Sequence, residues 1–226
     1  DYFEIFRETP TEARELAVEL VAERLPRYLQ VPPDEVQVLA PMHNGEAGIR
    51  ALNEALQVAL NPPTTTKAEL VIAGGAQGAH AQRVFRVGDK VRQTRNDYQK
   101  GVFNGDLGTI VRVFPEERGL VVRFDEQQVG YTADELEDLV HAWAMTVHAA
   151  QGSQWPAVVV IMLKSHYVML ERNILYTALS RAQRLAVLIP QDAAVRVAVA
   201  QDRSTRRRTG LVARLMAQTI QPDGGM

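Results

Sequence analysis

Two short runs in this chain carry residue types that handle phosphate. The first is Thr146-Val147-His148-Ala149-Ala150-Gln151-Gly152-Ser153-Gln154-Trp155-Pro156, set between two stretches that read as strands. A strand that breaks into hydroxyl, amide and glycine residues presents donors at the C-terminal edge of an α/β sheet, where such sheets place ligands. Backbone N–H groups and the Thr146 hydroxyl bind phosphate oxygens without formal charge. The same residues also read as a satisfied turn with Trp155 in the core. In the second run, Arg172 to Arg184, the residues Ile174, Leu175, Ala178 and Leu179 fall on one helix face, and Arg181 and Arg184 project from its end. Arginines there complement a helix C-terminus. Alternatively, Arg181 stabilises charge on a transferring γ-phosphoryl group, an effect of about 10³ or more in rate where it operates.

Other catalytic sets fail on spacing. The five histidines, His43, His80, His141, His148 and His166, show no metal-ligand spacing, and no Gly-x-Ser-x-Gly elbow is present. The glycines from Gly74 to Gly78 lack a following Gly-Lys-Ser/Thr, so there is no phosphate-cradling P-loop. Asp34-Glu35 follows two prolines rather than an apolar strand, and Asp134-Glu135 opens a helix, where acidic residues suit the dipole.

These runs need elements to hold them, and 226 residues suffice for one large domain or two modest ones. With 46% hydrophobic and 23% charged residues the chain is not disordered. No apolar run approaches the ~18 residues of a membrane span. Absent cysteines remove disulfides, thiol nucleophiles and Cys-ligated metal sites and suit a reducing compartment, so the expected location is cytoplasmic. The net charge of −2 hides a gradient: residues 1–82 carry six basic and twelve acidic side chains, residues 83–141 nine and eleven, residues 142–226 ten and four. A basic final third suits a phosphate partner, and equally a solvated basic face.

Thr9-Pro10-Thr11-Glu12 predicts a capped helix start, followed by Ala13, Leu16, Ala17, Leu20, Val21 and Leu25 at helical spacing. Val36, Val38 and Ala40 predict a strand, and Ile49, Leu52, Leu56 and Leu60 a second amphipathic helix. Residues 84–132 predict short strands, Val84 to Gln93, Gly108 to Phe114, Leu120 to Phe124 and Val129 to Thr132, broken by the Asn104-Gly105-Asp106 and Pro115 to Gly119 turns. That density fits a small β-barrel. Strands then return at Ala142 to Met145, Ala157 to Leu163 and Leu185 to Ile189, with helices at Asn173 to Ala182 and Ala193 to Gln201. The expected architecture is α/β: a parallel-sheet domain over 1–82 and 142–202, a barrel inserted at 83–141, and a basic tail at 203–226. In that tail Thr209 to Ile220 could form a short helix.

The order of Ala40-Pro41-Met42 with Gly45 and Gly48, Asn61-Pro62-Pro63, Phe85-Arg86-Val87-Gly88-Asp89-Lys90-Val91, Asn104-Gly105-Asp106 with Gly108, the Thr-Val-His to Gln-Gly-Ser run, and Tyr176-Thr177-Ala178-Leu179-Ser180-Arg181-Ala182 resembles the C-terminal half of RecD-like helicases of superfamily one. The likeness runs from Tyr2 to about Ile189. It implies a second RecA-like motor domain with an inserted SH3-like barrel, and helicase motifs IV, V and VI at 40–48, 146–154 and 172–184. It also implies 5′ to 3′ movement on single-stranded DNA driven by ATP with Mg2+, in repair or recombination. The half with the P-loop and the magnesium ligands would lie in a preceding part of a longer chain, which the non-Met residue Asp1 suggests, and this chain alone is expected to be inactive.

By position the resemblance makes Arg181 the finger on the γ-phosphate and Gln154 a ribose contact. Gly152 and Ser153 would shape that side, with Arg184 close by. Thr146, His148, Met42, His43 and Asn44 would face DNA, with Arg95, Tyr98 and Asn104 on the barrel, although Tyr98 also reads as barrel core. The chain departs from relatives at His43-Asn44, where a basic residue is frequent, at Ala149 in place of Lys, and at Gln154 in place of Glu. Two rival readings use no nucleotide: a nucleic-acid-binding module built on the barrel and the Arg203 to Arg208 tail, and a protein-interaction domain.

Overall fold

The structure, a computed structural model, describes residues 1–72 and 82–201. The glycine run at 74–78, His80, the Arg203 to Arg208 cluster and the expected helix from Thr209 lie outside the described residues.

Strand β1 (Tyr2–Glu4) leads to α1 (Pro10–Glu19), which starts as its sequence predicts. The Thr9 hydroxyl accepts the Glu12 amide at 3.2 Å, and the Glu12 carboxylate accepts the Thr9 amide at 3.1 Å. That reciprocal pair lowers the Glu12 pKa, chiefly through the Thr9 and Glu8 amides that bond to its charged form. The helix then passes through a π-helical turn, Leu20–Arg24, into α2 (Leu25–Leu29), with the Leu25 amide reaching back to the Leu20 carbonyl. Pro26 explains the widening: it has no N–H to give the preceding turn, and its ring crowds the carbonyl there.

Next come β2 (Val36–Ala40), α3 (Ile49–Leu60), β3 (Glu69–Ile72), β4 (Arg83–Arg86), β5 (Lys90–Gln93), β6 (Leu107–Phe114), β7 (Gly119–Phe124), β8 (Gln127–Tyr131) and β9 (Leu139–His141). The chain continues through β10 (Ala144–Thr146), β11 (Trp155–Met162), α4 (Arg172–Leu179), β12 (Ala182–Pro190) and α5 (Asp192–Ala200). Five strands form an all-parallel sheet in the order β1-β12-β11-β2-β10. Its central strands are buried on both faces, hence their near-continuous apolar sequences. Val38, Val159 and Ile161 pack with Leu16, Leu20, Leu52 and Leu56 under α1 and α3, whereas Leu39, Val158 and Val160 pack with Ala178 and Ala194 under α4 and α5. Each side chain of this kind contributes roughly 1.5–3 kcal/mol when fully buried.

The inserted unit is antiparallel, in the order β8-β7-β6-β5-β9, with a β3-β4 pair beside it. Leu70 of β3 and Phe85 of β4 share one core with Ile110, Leu120 and Val122. The unit therefore takes in β3 and begins before the boundary at 83 that composition suggested. The expected single strand Val84 to Gln93 is two strands, because Gly88 turns the chain at a φ of 94°. The helix expected to reach Ala182 stops at Leu179, and Ala182 already belongs to β12.

Candidate functional site

Strand register places the runs 146–156 and 172–184. Thr146 lies level with Ala40, so Thr146 to His148 leave β10 at the same C-terminal edge where Met42, His43 and Asn44 leave β2. Trp155 lies level with Ala182, and its amide donates to the Arg181 carbonyl at 3.0 Å. Ser153, Gln154 and Arg181 thus gather at the opposite, N-terminal edge. The run expected at one edge instead crosses the sheet, because β10 and β11 are parallel and β2 lies between them. At ~3.3 Å per strand residue the two ends are about 20 Å apart.

At the N-terminal edge, the half-exposed Arg181 guanidinium donates to Thr177 O at 3.2 Å, Ser153 O at 3.3 Å and Ser180 Oγ at 3.1 Å. All three acceptors are neutral, so among the described residues no carboxylate pairs with its charge. Gly152 and Gln154 are exposed, Ser153 is half-exposed and Trp155 is buried, so the run combines a seated core residue with open polar groups. Arg184 donates to Leu29 O at 3.2 Å, closing the last turn of α2.

At the C-terminal edge, Thr146 caps the crossover, its hydroxyl accepting the Ala149 amide at 3.2 Å and its carbonyl the Ala150 amide at 3.1 Å. His148, His43 and Asn44 are exposed and Met42 is half-buried. The loop from Met42 to Gly48 curls onto the start of α3. The Ile49 and Arg50 amides donate to the Met42 and His43 carbonyls at 3.1 and 3.3 Å, so those helix-start amides are already used. Gly48 permits the curl, since a Cβ there would lie 2.5–2.6 Å from the Asn44 and His43 backbone. Arg50, exposed and in the first turn of α3, is tied to this loop by its amide and adds a cationic residue next to it in the chain. The apolar spacing that marks α3 in the sequence, Ile49, Leu52, Leu56 and Leu60, gives no signal for it.

On the barrel, Tyr98 is 79% exposed and is not core. Its ring meets Phe103 edge-on at 5.9 Å, and its hydroxyl accepts from Asn96 Nδ2 at 3.3 Å. Arg92 donates to Asn104 Oδ1 at 3.2 Å. Arg95 pairs with Glu137 at 3.6 Å and Asp138 at 3.4 Å, so its charge is partly offset. Leu107, just past the Asn104 turn, packs against the cluster holding Met145, Val147 and Ala150, which sets this turn beside the C-terminal edge.

Among the described residues no group of three His, Asp or Glu side chains could hold a metal, and no helix is long and apolar enough to cross a membrane.

Comparison with known proteins gives two family matches. The ATP-dependent RecD-like DNA helicase SH3 domain matches residues 52–124, and the UvrD-like helicase C-terminal domain matches residues 141–189. The ATP-dependent RecD2 DNA helicase of Deinococcus radiodurans is 39% identical over 82% of this chain, and RecBCD enzyme subunit RecD of Mycobacterium tuberculosis is 30% identical over 81%. These alignments span only 24% and 29% of the relatives' own lengths. A Pif1 helicase structure concerned with unwinding of forked double-stranded DNA matches with a TM-score of 0.51 at 18% identity, over 95% of this chain and 53% of that one. A Bacteroides Pif1 structure with ADP-AlF3 and single-stranded DNA matches at 0.50 and 16%, over 96% and 56%. Both structural likenesses concern the fold. A RecD-type SH3 domain joined in one chain to a helicase C-terminal domain, with RecD relatives aligned over four fifths of its length, makes this chain a member of the RecD-like helicases.

Proposed function

We propose that this chain is the C-terminal motor portion of an ATP-dependent helicase that moves 5′ to 3′ along single-stranded DNA. The observation that carries this reading is one sheet with two chemically different edges. At one edge stands Arg181, bonded among the described residues to neutral oxygens alone, beside Ser153 and Gln154. At the other stand Thr146, His148, His43, Asn44 and Arg50, with the Asn104 turn alongside.

In this proposal the N-terminal edge closes over the triphosphate of an ATP held by a partner domain. Arg181 exchanges its carbonyl acceptors for γ-phosphate oxygens, a stronger charge-assisted bond. Gln154 hydrogen-bonds the ribose, Gly152 and Ser153 leave room for it, and Arg184 keeps α2 seated behind them. Magnesium arriving with the nucleotide would supply charge neutralisation at the phosphates, and the described residues offer no ligand set for it. The C-terminal edge holds the strand by its backbone, with Met42 under the His43-Asn44 loop and Tyr98 and Asn104 on the barrel. Arg95 contributes less, being paired. Closing and reopening with the γ-phosphate alters the strand affinity of one domain relative to the other, and that difference drives movement. A role in a recombination or repair complex extends the same reading.

In an enzyme that includes the ATP-holding domain, Arg181→Ala should lower DNA-stimulated ATP turnover about 10³-fold while single-strand affinity stays within about twofold. Unchanged turnover would remove the motor role of Arg181. That result would favour the rival binding module, in which the local hydrogen bonds of Arg181 are its whole purpose. Polarity rests on the family resemblance and is read by unwinding duplexes tailed at the 5′ or the 3′ end.

A further inference from the structure

The barrel meets the sheet unit through two consecutive charged residues that point different ways. Asp89 is fully buried, and its carboxylate accepts four bonds. Two come from the sheet unit, Gln57 Nε2 of α3 at 2.7 Å and Nδ2 of Asn61, which caps that helix, at 2.6 Å. The other two come from barrel strands, the Arg86 amide at 2.8 Å and His141 Nε2 at 3.2 Å. Lys90, 8% exposed, donates to Asp34 O at 2.6 Å and Gln37 Oε1 at 3.1 Å, both on the sheet unit. Gln37 in turn donates to Ala142 O and Trp143 O at 3.2 and 2.8 Å, which links Lys90 to the segment returning from the barrel. That return is held again by Asn53 of α3, which both donates to and accepts from the Ala144 backbone. The His141 ring packs between two aromatic rings, stacked on Trp143 at 5.5 Å and tilted at 44° against Phe85 at 4.9 Å.

Apolar contact between two units has no preferred angle, and units joined by short crossings move relative to one another by default. A buried carboxylate with four donors from both sides is satisfied at one orientation only. Turning the barrel would take from Asp89 its Gln57 and Asn61 donors and from Lys90 both of its acceptors, leaving buried charges short of partners, a costly state for such groups.

We infer that Asp89 and Lys90 form an orientation lock, which makes the barrel a fixed arm of the sheet unit rather than a mobile flap. Asp89 is thereby a positioning residue: through the barrel it holds the Asn104 turn at constant spacing from the Thr146 to His148 edge. The geometry stands without any nucleotide. Its consequence, that barrel and sheet unit advance along a strand as one body, rests on the function proposed above.

The chain has no cysteine, so two introduced ones take spin labels uniquely. Glu117→Cys on the barrel and Glu15→Cys on α1 are both exposed positions. Pulsed EPR on the labelled chain should give one narrow distance population. Asp89→Asn turns an acceptor into a donor facing donors, and Lys90→Met keeps the length but removes the charge. Each should broaden the distribution at least twofold while the circular dichroism stays unchanged. Arg24→Gln, which removes only an exposed pair with Glu19, should leave the distribution narrow. Should Asp89→Asn fail to fold, Lys90→Met and the milder Gln57→Leu carry the test. A broad or double population without the joint substitutions overturns the lock, as does a narrow one retained in the folded joint variants. The measurement contains neither nucleotide nor DNA, so its failure is separate from failure of the motor reading, which Arg181→Ala tests.

Discussion

Buried ionisable side chains make their cost visible through pH. Burial pushes the Lys90 ammonium from 10.5 down to about 8, with a smaller opposing effect from Asp34. Because the folded value lies below the unfolded one, the unfolded chain binds more protons between those limits, and stability rises with pH across that window. A shift of that size corresponds to about 3 kcal/mol. Denaturant titrations at pH 8 and pH 10 should show that rise in the wild-type chain and lose it in Lys90→Met. His166 follows the same sign lower on the scale. Buried, with Nδ1 accepting the Leu163 amide at 3.2 Å, it is pushed to about 4, so its contribution is lost as pH falls from 6.5. Neither residue announces itself in the sequence. Val-Gly-Asp-Lys-Val falls within the expected strand Val84 to Gln93, and only the arrival of Gln37, Gln57 and Asn61 from distant elements gives its buried charges their partners.

At the scale of elements, local chemistry decided what could be read in advance. The Thr9 cap, the Asn104 turn and the apolar stripes of α1 and α3 each depend on neighbours within a few residues, and each stands where its pattern put it. The crossover from Thr146 to Trp155 was misplaced because its course depends on β2 lying between β10 and β11, which no local pattern encodes. The curl at His43 to Gly48 lies between these cases: its glycines were visible, its closure onto the first amides of α3 was not. Gly48→Ala should force the Asn44 backbone away, for an overpacking cost of about 1–3 kcal/mol. Single-strand affinity should fall several-fold, measured by fluorescence anisotropy at fixed salt. An unchanged affinity would detach the His43-Asn44 loop from the strand.

For the whole molecule, the alternation of helices and strands made the α/β class legible, and the dense short strands after residue 83 marked an insertion. The extent of the insertion was less legible, since β3 precedes the boundary at 83 that composition suggested and only pairing with β4 assigns it to the barrel. With no Gly-Lys-Ser/Thr loop anywhere in its sequence, and with only one side of the nucleotide cleft in the function proposed above, the isolated chain should turn over ATP negligibly even with saturating single-stranded DNA. A phosphate-release assay showing sustained turnover would contradict that division of labour.

The connection from β10 to β11 leaves little slack. Its end-to-end course takes in two strand spacings sideways as well as the depth of the sheet, about 22 Å in all, and its coiled first half advances only ~2 Å per residue. Shortening the link by even two residues would pull Thr146 and Ser153 toward each other and unseat one of them. Side chains along it can be exchanged far more freely than its length can be altered.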